Sequence, residues 1–100
     1  MKWEAGRQGT GYFKKLLAKG SFWDCYLLKY PIGAFVPGHF DMVPKKRHFR
    51  LNIVLRGNQD FKGEALFRLG PIVLFRPDLM FHGVDRVAQE RLVFSLGWVI

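Results

Sequence analysis

The sequence holds a single cysteine, Cys25, among 100 residues. One thiol excludes an intrachain disulfide and a cysteine-based zinc site. Its apolar surroundings suit a small buried hydrophobe. Carboxylates are scarce as well: eight Asp and Glu stand against sixteen Lys and Arg, a formal charge of +8. A chain so short of acid attracts anions, from nucleic acid and anionic lipid to small carboxylates and phosphates. No apolar run approaches the roughly 18 residues needed to cross a bilayer. The start, Met1-Lys2-Trp3-Glu4-Ala5-Gly6-Arg7-Gln8, lacks the apolar core of a signal peptide, so a cytoplasmic location is expected. Low-complexity sequence is missing too. With 49% hydrophobic and 16% aromatic residues, the chain is neither disordered nor collagen-like. Its length suits one compact domain over residues 1–100.

Thr10 precedes Tyr12, Phe13, Leu16 and Leu17 at helical spacing, and Gly20 closes the run, which predicts a short helix over about 10–20. The remainder, about 22–100, reads as strands and turns. Residues 22–30 are apolar and aromatic, and 31–38 is broken by Pro and Gly into a turn. Residues 48–55 alternate, with Phe49, Leu51, Ile53 and Leu55 on one face and Arg50, Asn52 and Val54 on the other. Further strand runs occupy 64–69, 71–76 and 91–100. Short strands separated by turns point to a mainly antiparallel sandwich or barrel. In the last strand Arg91, Val93, Ser95 and Gly97 share one face. Leu92, Phe94, Leu96 and Trp98 share the other and read as core, as does Trp23.

The chemistry-bearing residues lie in two distant stretches. His39 and Asp41 are two apart, so in an extended segment both side chains face one spot. His82, at a strand end, supplies a second imidazole. Two histidines and a carboxylate make the facial triad of non-haem iron(II) sites, although zinc hydrolysis uses similar ligands. Arg91 follows nine residues later, above the small side chains Val93, Ser95 and Gly97. A planar two-pronged cation with open space beside it suits a carboxylate.

These pieces together resemble the iron(II)- and 2-oxoglutarate-dependent oxygenases, nearest their prolyl 4-hydroxylase branch. Their signature is His-x-Asp, a distant His and a basic residue about ten positions on, matched by His39, Asp41, His82 and Arg91. The run from Tyr30 through Gly33 to His39 and Asp41 is similar to that branch. So are Arg50 to Leu55, the hairpin Lys62-Gly63-Glu64-Ala65-Leu66-Phe67, and Phe75-Arg76-Pro77 through His82-Gly83-Val84. The resemblance spans roughly residues 24–98. It departs in Lys62, where the hairpin usually has Gly, in Val93, where Ser or Thr is frequent, and in the shortness of the chain.

The resemblance implies a double-stranded β-helix, a jelly-roll or cupin-like barrel, after the one N-terminal helix. It implies Fe(II) held by His39, Asp41 and His82, with 2-oxoglutarate as cosubstrate and O2 as oxidant. Arg91 would hold the far carboxylate, helped by Tyr30 and by Asn52. The implied activity is hydroxylation of a protein side chain or small molecule, with release of succinate and carbon dioxide. Lys45, Lys46, Arg47 and Arg50 would line the substrate entrance, with His48 at the surface. Two other readings use the same residues: an AlkB-type nucleic-acid demethylase, favoured by the charge, and a non-catalytic basic barrel holding nucleic acid or a protein partner. Open sheet edges and a small core also leave room for an oligomer.

Overall fold

Side-chain alternation in the long central strands organises the whole chain. The computed structural model describes residues 3–6, 10–40 and 46–100. In chain order the strands are β1 (Glu4–Ala5), β2 (Phe13–Lys19), β3 (Trp23–Tyr30), β4 (Val36–His39), β5 (His48–Arg56), β6 (Phe61–Gly63), β7 (Phe67–Leu69), β8 (Ile72–Phe75), β9 (His82–Val84) and β10 (Arg91–Val99). Seven form one sheet in the order β1-β2-β3-β10-β5-β8-β7, and three form a second in the order β4-β9-β6. Every pairing is antiparallel. The result is a mainly β jelly-roll barrel, and no helix among the described residues is long and apolar enough to cross a membrane.

β10 shows how sequence sets the layers. Arg91, Val93, Ser95 and Gly97 are buried, while the residues between them are only half-buried. The expectation that Leu92, Phe94, Leu96 and Trp98 form the core is therefore inverted: they lie on the outward side of the large sheet. Trp23 is exposed, and Cys25 is half-buried. Both sit in register with the outward residues of β10, Trp23 opposite Trp98 and Cys25 opposite Leu96. The interior has two apolar clusters. One joins the sheets through Tyr30, Val36, Val84 and Val93, and the other is Phe61, Val73 and Phe75.

The expected helix over 10–20 is a strand, β2. It pairs with β3 from Phe13↔Lys29 to Lys19↔Asp24, with a register shift between Leu16 and Ala18. That bulge interrupts the two-residue alternation at Leu17. The Thr10 hydroxyl does not cap a helix but donates to the carbonyl of Phe35, and Tyr12 stacks on Tyr30 with ring centroids 5.3 Å apart. Sheet pairing and burial outweigh the weak local propensity. The turn expected over 31–38 contains the start of β4, a strand despite Pro37 and Gly38. At the turn after β5, Gly57 holds φ at +91°, and a side chain there would meet the carbonyl oxygen of Glu90.

Candidate metal and anion site

The small sheet places the two histidines side by side. β4 and β9 pair Val36 with Val84 and His39 with His82, and the register slips by one residue between those pairs. The slip at Pro37-Gly38 sets His39 directly opposite His82. Gly83 permits the close approach, because a Cβ there would lie 2.5 Å from the oxygen of Val36 and 3.1 Å from the nitrogen of Gly38. The imidazole centroids are 4.4 Å apart, with planes inclined at 52°. Phe75 packs on the far side of His82 at 5.0 Å.

Each ring is oriented by its own strand. His39 Nδ1 lies 2.8 Å from the carbonyl oxygen of Pro37, and His82 Nδ1 lies 2.8 Å from that of Met80. A carbonyl oxygen only accepts, so Nδ1 carries the proton in both rings and Nε2 carries the lone pair. Metal-binding histidines are typically held this way, with one ring nitrogen on a carbonyl and the other toward the ion. The pair therefore fits a divalent transition metal by donor chemistry and tautomer. Asp41, the expected carboxylate ligand, lies outside the described residues, as does Lys45. Among the described residues no three His, Cys, Asp or Glu side chains gather into a metal-holding group.

Both histidines open into a cavity of about 620 Å³ between the sheets. Of the expected cosubstrate residues, Tyr30 and Asn52 line it. The Asn52 side-chain oxygen is buried without a hydrogen-bond partner, an acceptor in want of a donor. Arg91 is absent from the lining. It is 1% exposed, and its guanidinium donates to the carbonyls of Asn58 at 3.1 Å and Gln59 at 2.6 Å. It lies 4.7 Å from the centre of the Tyr30 ring. Burial lowers the Arg91 pKa, with Tyr30 opposing. Burial also raises the Tyr30 hydroxyl to about 12, with Arg91 pulling the other way. Arg91 thus stands behind Tyr30 and braces the turn after β5.

The cation in the cavity wall is Arg50. It donates to Ser95 Oγ at 2.7 Å and to Asp24 Oδ1 at 2.5 Å. The small residues on the inward face of β10 leave space for this arm, since a Cβ on Gly97 would sit 2.1 Å from its Nη2. Lys14 adds a second cation, so the wall carries two cations against the one carboxylate of Asp24. His48, expected at the surface, also lines the cavity. Its place two residues before Arg50 on an alternating strand is the signal that would have placed it there. Lys46 and Arg47 are exposed, and the Lys46 ammonium lies 4.7 Å over the ring of Phe22.

Solved structures share this fold. The chain is similar to KdgF from Halomonas sp. at 24% identity, covering 98% of this chain and 86% of that one with a TM-score of 0.69. It is similar to a prolyl-4-hydroxylase from Pseudomonas putida at 17% identity, covering 98% and 77% with a TM-score of 0.73. An RmlC-like cupin from Desulfovibrio desulfuricans aligns at 18% identity over 95% and 90% with a TM-score of 0.68. At these identities the likeness establishes the fold, a cupin-type jelly roll. No family model and no curated protein matches the sequence.

Proposed function

We propose that the protein is an iron(II)- and 2-oxoglutarate-dependent dioxygenase that hydroxylates a protein side chain or a small molecule. The observation that carries this reading is the pairing of His39 with His82, both with Nδ1 on a carbonyl, at the edge of a cationic cavity. His39, His82 and Asp41 would hold the ion. When bound, iron(II) would supply the redox chemistry by which O2 oxidises 2-oxoglutarate to succinate and carbon dioxide and hydroxylates the substrate.

The chain's own residues do the rest. Arg50, steadied by Asp24 and Ser95, takes the carboxylate-binding role that the sequence reading gave to Arg91, and Lys14 adds attraction for the dianion. Asn52 offers a neutral amide to the bound acid. Phe61 and Phe75, with centroids 4.9 Å apart, keep the wall beside His82 apolar and exclude water. One observation favours a second reading. Both guanidiniums in question already have partners, Arg50 in Asp24 and Ser95 and Arg91 in backbone carbonyls, which also suits a metal-assisted conversion of a small anionic substrate that needs no 2-oxo acid.

The test is succinate formation by protein loaded with Fe(II) and 2-oxoglutarate without oxygen and then exposed to it. Succinate formation that depends on both and is lost in folded His82→Ala supports the proposal. Metal-loaded protein that binds anions yet yields no succinate supports the second reading.

A further inference from the structure

Arg76 and Asp78 form an ion pair that takes no part in the cavity wall. Their side chains are 19% and 7% exposed. The grip is two-pronged: Arg76 donates from Nε to Asp78 Oδ1 at 3.3 Å and from Nη2 to Oδ2 at 2.7 Å. The guanidinium also lies 5.3 Å over the ring of Phe49. Burial by itself would raise the Asp78 carboxyl, but Arg76 and the backbone N–H groups of Asp78 and His48 hold it below its ordinary value. Taking an ion pair out of water offsets much of the attraction gained, so such a pair does little for stability. Its place in the chain points to another role.

The pair sits on the turn that carries β8 into β9. In that turn the N–H groups of Leu79 and Met80 both donate to the carbonyl of Arg76, at 3.1 and 2.8 Å. Two residues after Asp78 comes Met80, whose carbonyl oxygen lies 2.8 Å from His82 Nδ1. Phe75, just before Arg76, packs on His82 at 5.0 Å. The hydrogen bond from the His48 N–H to the Asp78 carboxylate ties the same turn to the start of β5. The two groups that fix the His82 ring therefore flank the Arg76–Asp78 pair, one at each end of the turn. His39 is oriented from a different strand, by the carbonyl of Pro37, and offers a comparison within the same molecule.

We propose that Asp78 is a positioning residue for His82: by clamping the turn to Arg76 and to β5, it holds the Met80 carbonyl on Nδ1 and so keeps the lone pair on Nε2. The role rests on the reading of His82 as a metal ligand. The test is the imidazole nitrogen NMR shifts of isotope-labelled, metal-free protein at a pH where the rings are neutral, followed by titration with cobalt(II). In the unmodified protein both His39 and His82 are expected to carry the proton on Nδ1. Asp78→Asn keeps the shape of the side chain and weakens its grip on Arg76. In that variant His82 is expected to become a mixture of both tautomers while His39 is unchanged, and cobalt affinity is expected to fall by about tenfold. Arg76→Lys cannot make the two-pronged contact; it is expected to shift His82 in the same direction, and it decides if Asp78→Asn does not fold. A proton on Nε2 of His82 in the unmodified protein overturns the proposal. So does a folded variant in which His82 stays wholly protonated on Nδ1, or one in which both histidines change together, as a general loosening of the fold would make them do. Failure of cobalt to bind the unmodified protein contradicts the reading of His82 as a ligand, and the nitrogen shifts then still decide the positioning.

Discussion

Arg50 and Asp24 form an ion pair although their strands are not neighbours. Arg50 is on β5 and Asp24 on β3, with β10 between them, and Gly97 is in register with both. The guanidinium spans β10 across the one residue without a side chain. A single methyl group at that position blocks the path, since it would sit 2.1 Å from Arg50 Nη2.

Gly97→Ala therefore separates cavity chemistry from folding. The displaced group is the end of a flexible side chain, so thermal melting is expected to register a loss in the overpacking range of about 1–3 kcal/mol. The affinity for 2-oxoglutarate, measured by calorimetry on metal-loaded protein, is expected to fall by about tenfold as Arg50 is driven off Asp24 and Ser95.

Arg50, expected at the substrate entrance, should carry the cosubstrate role expected of Arg91. Arg50→Gln is expected to lower 2-oxoglutarate affinity by at least about tenfold with a small change in stability. Arg91→Met removes two donors from the carbonyls of Asn58 and Gln59 and a cation from the Tyr30 ring, at an expected cost of about 1–3 kcal/mol in chemical denaturation. Its effect on affinity should stay within about threefold, the size of a small indirect perturbation. Calorimetry and denaturation on the same two variants measure both halves.

Tyr30 sets an alkaline limit. Its hydroxyl is raised to about 12 from an ordinary 10, chiefly by burial. The folded state therefore keeps the proton at pH values where the unfolded chain has released it. This contribution to stability is fully present below pH 10 and is lost as pH rises from 10 toward 12. Tyr30→Phe is expected to flatten that part of the stability profile, by at most about 2 kcal/mol. Denaturation midpoints for both proteins across this range give the difference directly.

Much of the large sheet was legible in the sequence because its strands are long. β3, β5 and β10 run eight or nine residues, and the split of β5 into Phe49, Leu51, Ile53 and Leu55 against Arg50, Asn52 and Val54 is real. What alternation could not reveal is which face is inside. A barrel with a polar cavity turns Arg50, Asn52 and Ser95 inward, whereas hydropathy assigns the interior to Leu96 and Phe94. The small sheet was illegible for another reason. β4, β6 and β9 are three or four residues long and contain Pro37, Gly38, Gly63 and Gly83, residues that signal turns. The histidines were found from residue type and order, but their cross-strand pairing depends on the one-residue slip before His39. Arg91 was read as lining the pocket because its face was right. The carbonyls of Asn58 and Gln59, which hold it away, belong to a turn whose path no side-chain pattern encodes.

The central claim is that His39 and His82, with Asp41, grip one divalent ion. Titration with cobalt(II), followed by its visible absorption, tests this most directly. One ion per chain is expected, with bands typical of imidazole and carboxylate ligation. Affinity should fall by more than about a hundredfold in His39→Ala and in His82→Ala, since each loses a ligand outright. An absence of stoichiometric binding, or binding unchanged when both histidines are replaced, would contradict the account.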